Sequence, residues 1–362
     1  MTISATTQGL KPGVCTSGNR PSAPFDGQVI YMTDVDQTAV WDGTQWTVLA
    51  PIAGGRNMVV NGDFKIWQRG TSFSNPANAA FIADRWFMYY DGTGATRTIS
   101  QQTFTGDQPT GLNVSNYMRV AFTVAGSGST TNGMFSRIED VRKLNGQTVT
   151  LSFYGKADAS RTVNWQTYQE FGTGGSSAVA VNSTNFSFTS TWQRFSVSFT
   201  MPSVSGKTIT SNSSVSFIVT FPANATGTFD ITGIQLEAGA VATPFEFEDY
   251  GTTLAKCERY YYEQNTTTLY YNIFNSGNFH CSFAKFPVSM RAAPTITVFD
   301  SAGNSGKISI ANAGGTGQNN ITPPVSIDVN TDGWQYVAGG IGGTTGVNGM
   351  MILSRYTASI EL

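Results

Sequence analysis

Apolar and polar residues alternate with a period of two along most of the chain, in short runs broken by Gly, Asn and Ser. In "TVTLSFYGKAD", Val149, Leu151 and Phe153 fall on one side and Thr150, Ser152 and Tyr154 on the other. The alternation recurs in "RTVNWQTYQE", in "WQRFSVSFTMP" through Phe195, Val197 and Phe199, and in "SVSFIVTFP" through Val215, Phe217 and Val219. Strands with one apolar face are half-buried antiparallel strands, so residues 56–248 are expected to form a β-sandwich.

The flanks read differently. Residues 1–24 are polar and interrupted by Gly9, Pro12, Gly13, Gly18 and Pro21, which predicts an arm. In "DGQVIYMTDVDQTAVWDGTQWTVLAP", Val29, Tyr31, Val40 and Trp46 lie in short β runs, and Asp42-Gly43 carries the turn chemistry of a type I′ hairpin. A module this small cannot bury a core of its own and calls for a neighbouring surface. Towards the other end, "TFDITGIQLEAG" predicts a closing strand, with Phe229, Ile231, Ile234 and Leu236 facing the core around a bulge at Gly233. Glu246, Glu248 and Asp249 follow, where negative charge favours a helix start, and Leu254, Cys257 and Tyr261 then fall at i, i+3 and i+7. From residue 262 onward six or seven β runs predict a second, smaller sandwich. The chain is therefore expected to be all-β, divided into an arm and β-hairpin (residues 1–55), a sandwich (56–248), and a connector helix with a C-terminal β-sandwich (249–362).

Composition narrows the function classes. Charged residues make up 12% of the 362, with 39 Gly and a net charge of −2, so solubility comes from uncharged polar groups and no basic stripe exists for a nucleic acid. No apolar run nears the ~20 residues that span a bilayer, so membrane insertion is not expected. The first residues lack the basic and apolar regions of a signal peptide, which predicts synthesis in a cytoplasm. Cys15, Cys257, Cys281 and the lone His280 offer neither a disulfide framework nor metal-ligand spacing.

Candidate chemistry is sparse. A strand period of two puts His280 and Cys281 on opposite faces, which excludes a dyad between them. A glycosidase needs two carboxylates, and Glu139, Asp140, Glu170, Asp84 and Asp91 are the available ones, but no two are close in a cleft-forming context. No catalytic residue and no enzyme activity are expected. "GGIGGTTGVNG" lacks the Lys of a phosphate loop and reads as a turn. Trp334 and Tyr336 read as core. For sugar binding the strongest strand is "RTVNWQTYQE", whose polar side carries Asn164, Gln166, Tyr168 and Glu170. Amides and a carboxylate pair with hydroxyls while an aromatic ring stacks on C–H faces. A solvated strand face is the plain alternative.

"NMVVNGDFKIWQRG", "VTLSFYGKAD", "WQRFSVSFTMP" and "GTFDITGIQLEAG" resemble the ordered strands of carbohydrate-binding-module jelly rolls of the galactose-binding-like type. "RPSAPFDGQVIYMTD", "NMVVNGDFKIWQRGTSF" and "QLEAGAVATPFEFEDYGTTLAKCERYYY", in that order, are similar to segments of tail-fibre and appendage proteins of tailed phages, cyanophages included. The resemblance implies a jelly roll in the middle domain and a virion location. It further implies a non-catalytic homotrimeric fibre that docks on other virion proteins through residues 1–50 and displays its β domains to host-surface glycans. A capsid decoration protein and a polysaccharide-depolymerising tailspike are the alternatives. In the resembling modules a carboxylate near Asp63 and another near Asp230 often hold a structural Ca²⁺, the one cofactor candidate. The same two side chains also read as a turn cap and a solvated residue, and that ion takes about six to eight oxygens.

Overall fold

The computed structural model describes residues 13–34, 37–49, 55–274, 278–312, 317–323, 326–338 and 348–362. The first twelve residues of the arm and most of the Gly-rich "GGIGGTTGVNG" lie outside them, as does the His280 side chain. The protein is all-β, with one α-helix among the described residues.

The N-terminal module is a four-stranded sheet, larger than the expected hairpin: β1 (Gly13–Cys15), β2 (Val29–Met32), β3 (Gln37–Trp41) and β4 (Trp46–Leu49). The end of the arm is itself a strand, pairing in parallel with β2. Asp42-Gly43 does lie between β3 and β4, but in a four-residue turn over residues 42–45. The Asp42 carboxylate builds it, accepting from Thr44 N (2.9 Å), Gln45 N (2.8 Å) and Thr47 Oγ1 (2.9 Å). An aspartate that captures backbone donors two and three residues on favours this wider turn over the two-residue type I′. The core is small: Ile30, Met32 and Ala39, with Cys15 and Trp46 against them.

The jelly roll comprises β5 (Ser72–Ser74), β6 (Trp86–Tyr90), β7 (Thr96–Thr103), β8 (Asn116–Val124), β9 (Asn132–Glu139), β10 (Thr148–Ala157), β11 (Arg161–Glu170), β12 (Val179–Phe188), β13 (Gln193–Thr200), β14 (Ser214–Thr220) and β15 (Gly227–Ala238). They form a six-stranded sheet, β13-β10-β15-β8-β7-β5, over a five-stranded sheet, β12-β11-β14-β9-β6. Between the two lies one core that includes the wholly buried Trp86, Phe153, Trp165, Phe217 and Ile231. The closing strand β15 carries the expected bulge. Gly233 sits at φ +60, a conformation that costs other residues strain, and the pairing with β10 shifts register between Ser152 and Tyr154. Phe229, Ile231, Ile234 and Leu236 all enter the core on either side of it.

The six-stranded sheet is covered on its outer side. Phe104, Leu112, Val114, Tyr117 and Tyr154 make a second small core there, with Trp192 and Phe245 packed against it. The outer side of the five-stranded sheet is buried at Ser216, Ile218 and Phe87 but keeps half-buried side chains along β11 and an exposed Tyr89, and this position holds the site described below.

Helix α1 (Tyr250–Glu258) is capped by Asp249, whose carboxylate accepts from Thr252 N at 2.9 Å. Its buried positions are Thr253 and Cys257, followed by Tyr260 just past its end, while Leu254 is half-buried. The stripe is thus rotated from the expected Leu254, Cys257 and Tyr261, because Tyr261 already begins β16 (Tyr261–Phe274). Eight further strands complete the C-terminal domain: β17 (Asn278–Cys281), β18 (Ala284–Lys285), β19 (Thr295–Phe299), β20 (Ile308–Asn312), β21 (Gly317–Ile321), β22 (Ser326–Val329), β23 (Gly333–Ala338) and β24 (Asn348–Ser359). Two sheets, the larger containing β16 and β24 and the smaller ordered β18-β22-β23 by sequence and β18-β23-β22 in space, enclose Leu269, Trp334, Tyr336, Leu353 and Tyr356. Trp334 and Tyr336 are core residues, as their alternation predicts.

Candidate functional site

Burial alternates residue by residue along β11: Val163, Trp165, Thr167 and Gln169 are buried, and Asn164, Gln166, Tyr168 and Glu170 are half-buried. Trp165 anchors the inner side, its ring 4.7 Å from Phe153 and 5.9 Å from Phe217, near-parallel to both. The four predicted sugar-binding residues therefore share the outer face of the five-stranded sheet. Three of them form a continuous chain of hydrogen bonds. Tyr168 OH donates to Gln166 Oε1 (2.6 Å), Gln166 Nε2 to Asn164 Oδ1 (2.8 Å), and Asn164 Nδ2 to Asn185 Oδ1 (2.7 Å) on β12. Each link fixes one side chain by the next; Asn164 Nδ2 also donates to Ser183 Oγ (3.2 Å), while Gln166 Nε2 has a second proton and each carbonyl oxygen a second lone pair to offer. The row from Asn164 to Glu170 extends about 20 Å at the usual rise of a strand.

Strand pairing brings aromatic residues to the same face. Gln166 stands opposite Ile218 on β14, Ile218 opposite Phe135 on β9, and Phe135 opposite Phe87 on β6. Phe135 and Phe87 stack with centroids 5.2 Å apart, and Tyr89, 41% exposed, tilts against Phe135 at 5.2 Å. The sequence reading missed these rings. Their signal was the same period of two in "RWFMYY" and "GMFSRIE", which sets Phe87, Tyr89 and Phe135 opposite the core residues Trp86, Met88 and Met134.

At the far end of the row Glu170 Oε2 accepts from Arg137 Nε (3.0 Å) and Ser214 Oγ (3.2 Å). Both Arg137 and Glu170 line a cleft of about 350 Å³ together with Phe171, Thr173, Asn212 and Leu362. Glu170 is thereby set apart from the Tyr168-to-Asn164 chain by its ion pair. The face as a whole offers fixed amide and hydroxyl groups on β11 and, across β14, the half-buried Phe135 and exposed Tyr89 rings, a combination that matches sugar hydroxyls and C–H faces.

The other candidate carboxylates are engaged individually. Burial acts to raise the Glu139 pKa, but Tyr260 OH (2.8 Å) and Arg259 (3.3 Å) outweigh it and hold the carboxyl below its ordinary value. Asp140 caps a short 3-10 helix over Val141–Leu144. Asp91 accepts from Ser129, Thr130 and Thr131 in an exposed loop. Asp84 is buried, accepts from Gln68 N and Nε2 at 2.7 Å each, and has its pKa pushed up to about 6 by burial. Asp63 and Asp230 share no partner among the described residues: Asp63 pairs with Lys65 at 3.0 Å, and Asp230 accepts from Arg119 Nε and Nη2 at 2.8 Å each. Both oxygens of Asp230 are thus held by a guanidinium fork.

No protein-family model matches the chain, and no curated protein does. Among solved structures, a CBM4 structure is similar at 16% identity and a TM-score of 0.32, covering 49% of this chain and 97% of the other. A family 11 carbohydrate-binding module from Clostridium thermocellum, in complex with a β-1,3-1,4-mixed-linked tetrasaccharide, is similar at 15% identity and a TM-score of 0.31, with 48% and 99% covered. The enzymatically active domain of Bacteriophage CBA120 tailspike protein 4 is similar at 16% identity and a TM-score of 0.35, covering 52% of this chain. This chain spans about 22% of the length of that tailspike.

Proposed function

We propose that this protein is a non-catalytic, glycan-binding appendage of a tailed-phage virion, which presents the outer face of its five-stranded sheet to host-surface polysaccharide. The observation that carries the binding role is the Tyr168–Gln166–Asn164 hydrogen-bond chain on the outer sheet face, which it shares with Phe135 two strands away and Tyr89 three strands away. The virion setting, the homotrimer and attachment through residues 1–50 rest on the sequence resemblance. The small four-stranded N-terminal module agrees with them, because its three-residue buried core calls for further cover.

Affinity electrophoresis of the purified protein through gels containing host polysaccharide tests the binding role, and a parallel assay of released reducing ends tests catalysis. Retardation without release is the expected result. Release of reducing ends would convert the reading to a depolymerising tailspike, and no retardation would favour capsid decoration. Light scattering is expected to give three times the 38.8 kDa chain mass. A monomer at micromolar concentration would remove the trimer.

A further inference from the structure

A second feature of the jelly roll lies at the opposite end of the sandwich from the C-terminal domain. Tyr90, paired with Asn132, closes the β6-β9 ladder at this end, whereas Glu139 at the other end of β9 meets Arg259 and Tyr260. Arg97, the second residue of β7, points inward beside Tyr90 and is 4% exposed. Its guanidinium lies 3.5 Å from the centroid of the Tyr90 ring, and its Nη1 is buried with no hydrogen-bond partner among the described residues.

Among the described residues, no acid pairs with this charge. Asp91, the nearest acid in sequence, spends its carboxylate on Thr130 N (2.7 Å), Thr131 N (2.8 Å) and Ser129 Oγ (3.0 Å). Burial lowers the Arg97 pKa, and the Tyr90 group offsets this only in part. An unpaired buried cation is costly and is ordinarily retained where something pairs with it. The backbone holds it in place from both sides: Arg97 N donates to Asn75 Oδ1 (2.9 Å) and Asn75 N donates to Arg97 O (2.8 Å), with Asn75 in the left-handed region at φ +47. Arg97 lines a cleft of about 260 Å³, together with Pro76, Tyr90, Thr93 and Ala95.

We propose that this cleft binds a monoanionic carboxylate carried on a single polar ring, the chemistry of an acidic sugar residue. A guanidinium fork receives a carboxylate through two parallel hydrogen bonds. With Arg97 the one cation in the lining, the charge balances a carboxylate better than a phosphate of about −1.5 to −2. At about 260 Å³ and open to solvent on one side, the cleft has room for a single ring. Pro76 and Ala95 supply apolar contact and Thr93 a hydroxyl, as a sugar ring requires. The site is distinct from the β11 face, since Arg97 projects between the sheets and Tyr168 away from them.

Isothermal titration calorimetry of the full chain at constant ionic strength, with glucuronate, glucose and inorganic sulfate as titrants, tests the assignment. Glucuronate is expected to bind, with glucose and sulfate at least tenfold weaker. Arg97→Gln is expected to lose glucuronate binding by at least tenfold, Arg97→Lys to retain part of it, and both to retain the polysaccharide binding assigned to Tyr168. Glucose equal to glucuronate, sulfate equal to or tighter than it, or unchanged binding in a folded Arg97→Gln would each overturn the site. The three titrants on the unsubstituted protein decide the matter even where a variant fails to fold. Loss of polysaccharide binding in Tyr168→Ala with glucuronate binding intact would separate this site from the glycan-binding face.

Discussion

Tyr168 and Trp165 lie three positions apart on one strand and face opposite ways, so the physics of each can be tested separately. Trp165 is wholly buried between two aromatic rings, and Trp165→Ala is expected to cost about 3–5 kcal/mol in chemical denaturation, the range for a large buried aromatic. A loss below about 1 kcal/mol would mean that the strand is inside out. Asp84 gives a second test. Burial raises its pKa from 3.8 to about 6, with the Arg69 charge offsetting part of the rise. The folded protein then keeps a proton that the unfolded chain releases, so the stability from this group is fully present below about pH 4. It is lost as pH rises through about 6, up to ~3 kcal/mol in all. Urea denaturation from pH 4 to 7 is expected to show wild type losing stability relative to Asp84→Asn, and a constant difference would contradict it. At this scale the sequence displayed which β11 residues face outward, because alternation is local. It did not display Phe87, Tyr89 and Phe135 as their neighbours, nor Arg119 as the partner of Asp230, because only the pairing of distant strands brings those together.

Among the elements, β15 shows how a single position sets a strand's course. Gly233 occupies a positive φ, and a Cβ there would lie 3.1 Å from both Leu112 Cδ1 and Tyr154 Cδ2. Gly233→Ala is expected to cost about 1–2 kcal/mol from the backbone conformation alone, and a neutral change in denaturation midpoint would show that the bulge relaxes freely. This bulge was legible in the sequence, since a Gly inside an alternating run has few other uses in a strand. The helix was legible only in part. Its acidic start marked the Asp249 cap, but extending a 3.6-residue period to Tyr261 overran the end of the helix, and the buried stripe is Thr253, Cys257 and Tyr260. The N-terminal sheet was underestimated for a related reason: β1 is three residues long and pairs in parallel with a strand beyond a loop, which leaves no local pattern.

For the whole molecule, the jelly roll and the C-terminal domain meet at a seam of charge. Arg69 and Arg85, 15% and 3% exposed, both reach Glu361, while their guanidinium groups stack on Tyr261 and Tyr260 at 3.4 and 3.6 Å. Removing the carboxylate leaves Arg85 with no acidic partner among the described residues and Arg69 with Asp84 alone, at 3.9 Å, so Glu361→Ala is expected to destabilise by about 3–5 kcal/mol and to uncouple the two domains in calorimetry. A single unshifted transition would show that the seam contributes nothing. Arg69 and Glu361 are 292 positions apart, too far for any sequence pattern to join them. The all-β class and the two sandwiches, by contrast, follow from alternation repeated along the chain. The central claim, that the outer face of the five-stranded sheet binds host glycan, is tested most directly by measuring polysaccharide affinity and thermal stability together in Tyr168→Ala and Gln166→Ala. Both are expected to weaken binding, one through a lost ring and the other through lost hydrogen bonds, with stability moving by less than about 1 kcal/mol. Unchanged affinity in both variants, with the fold intact, would contradict the account.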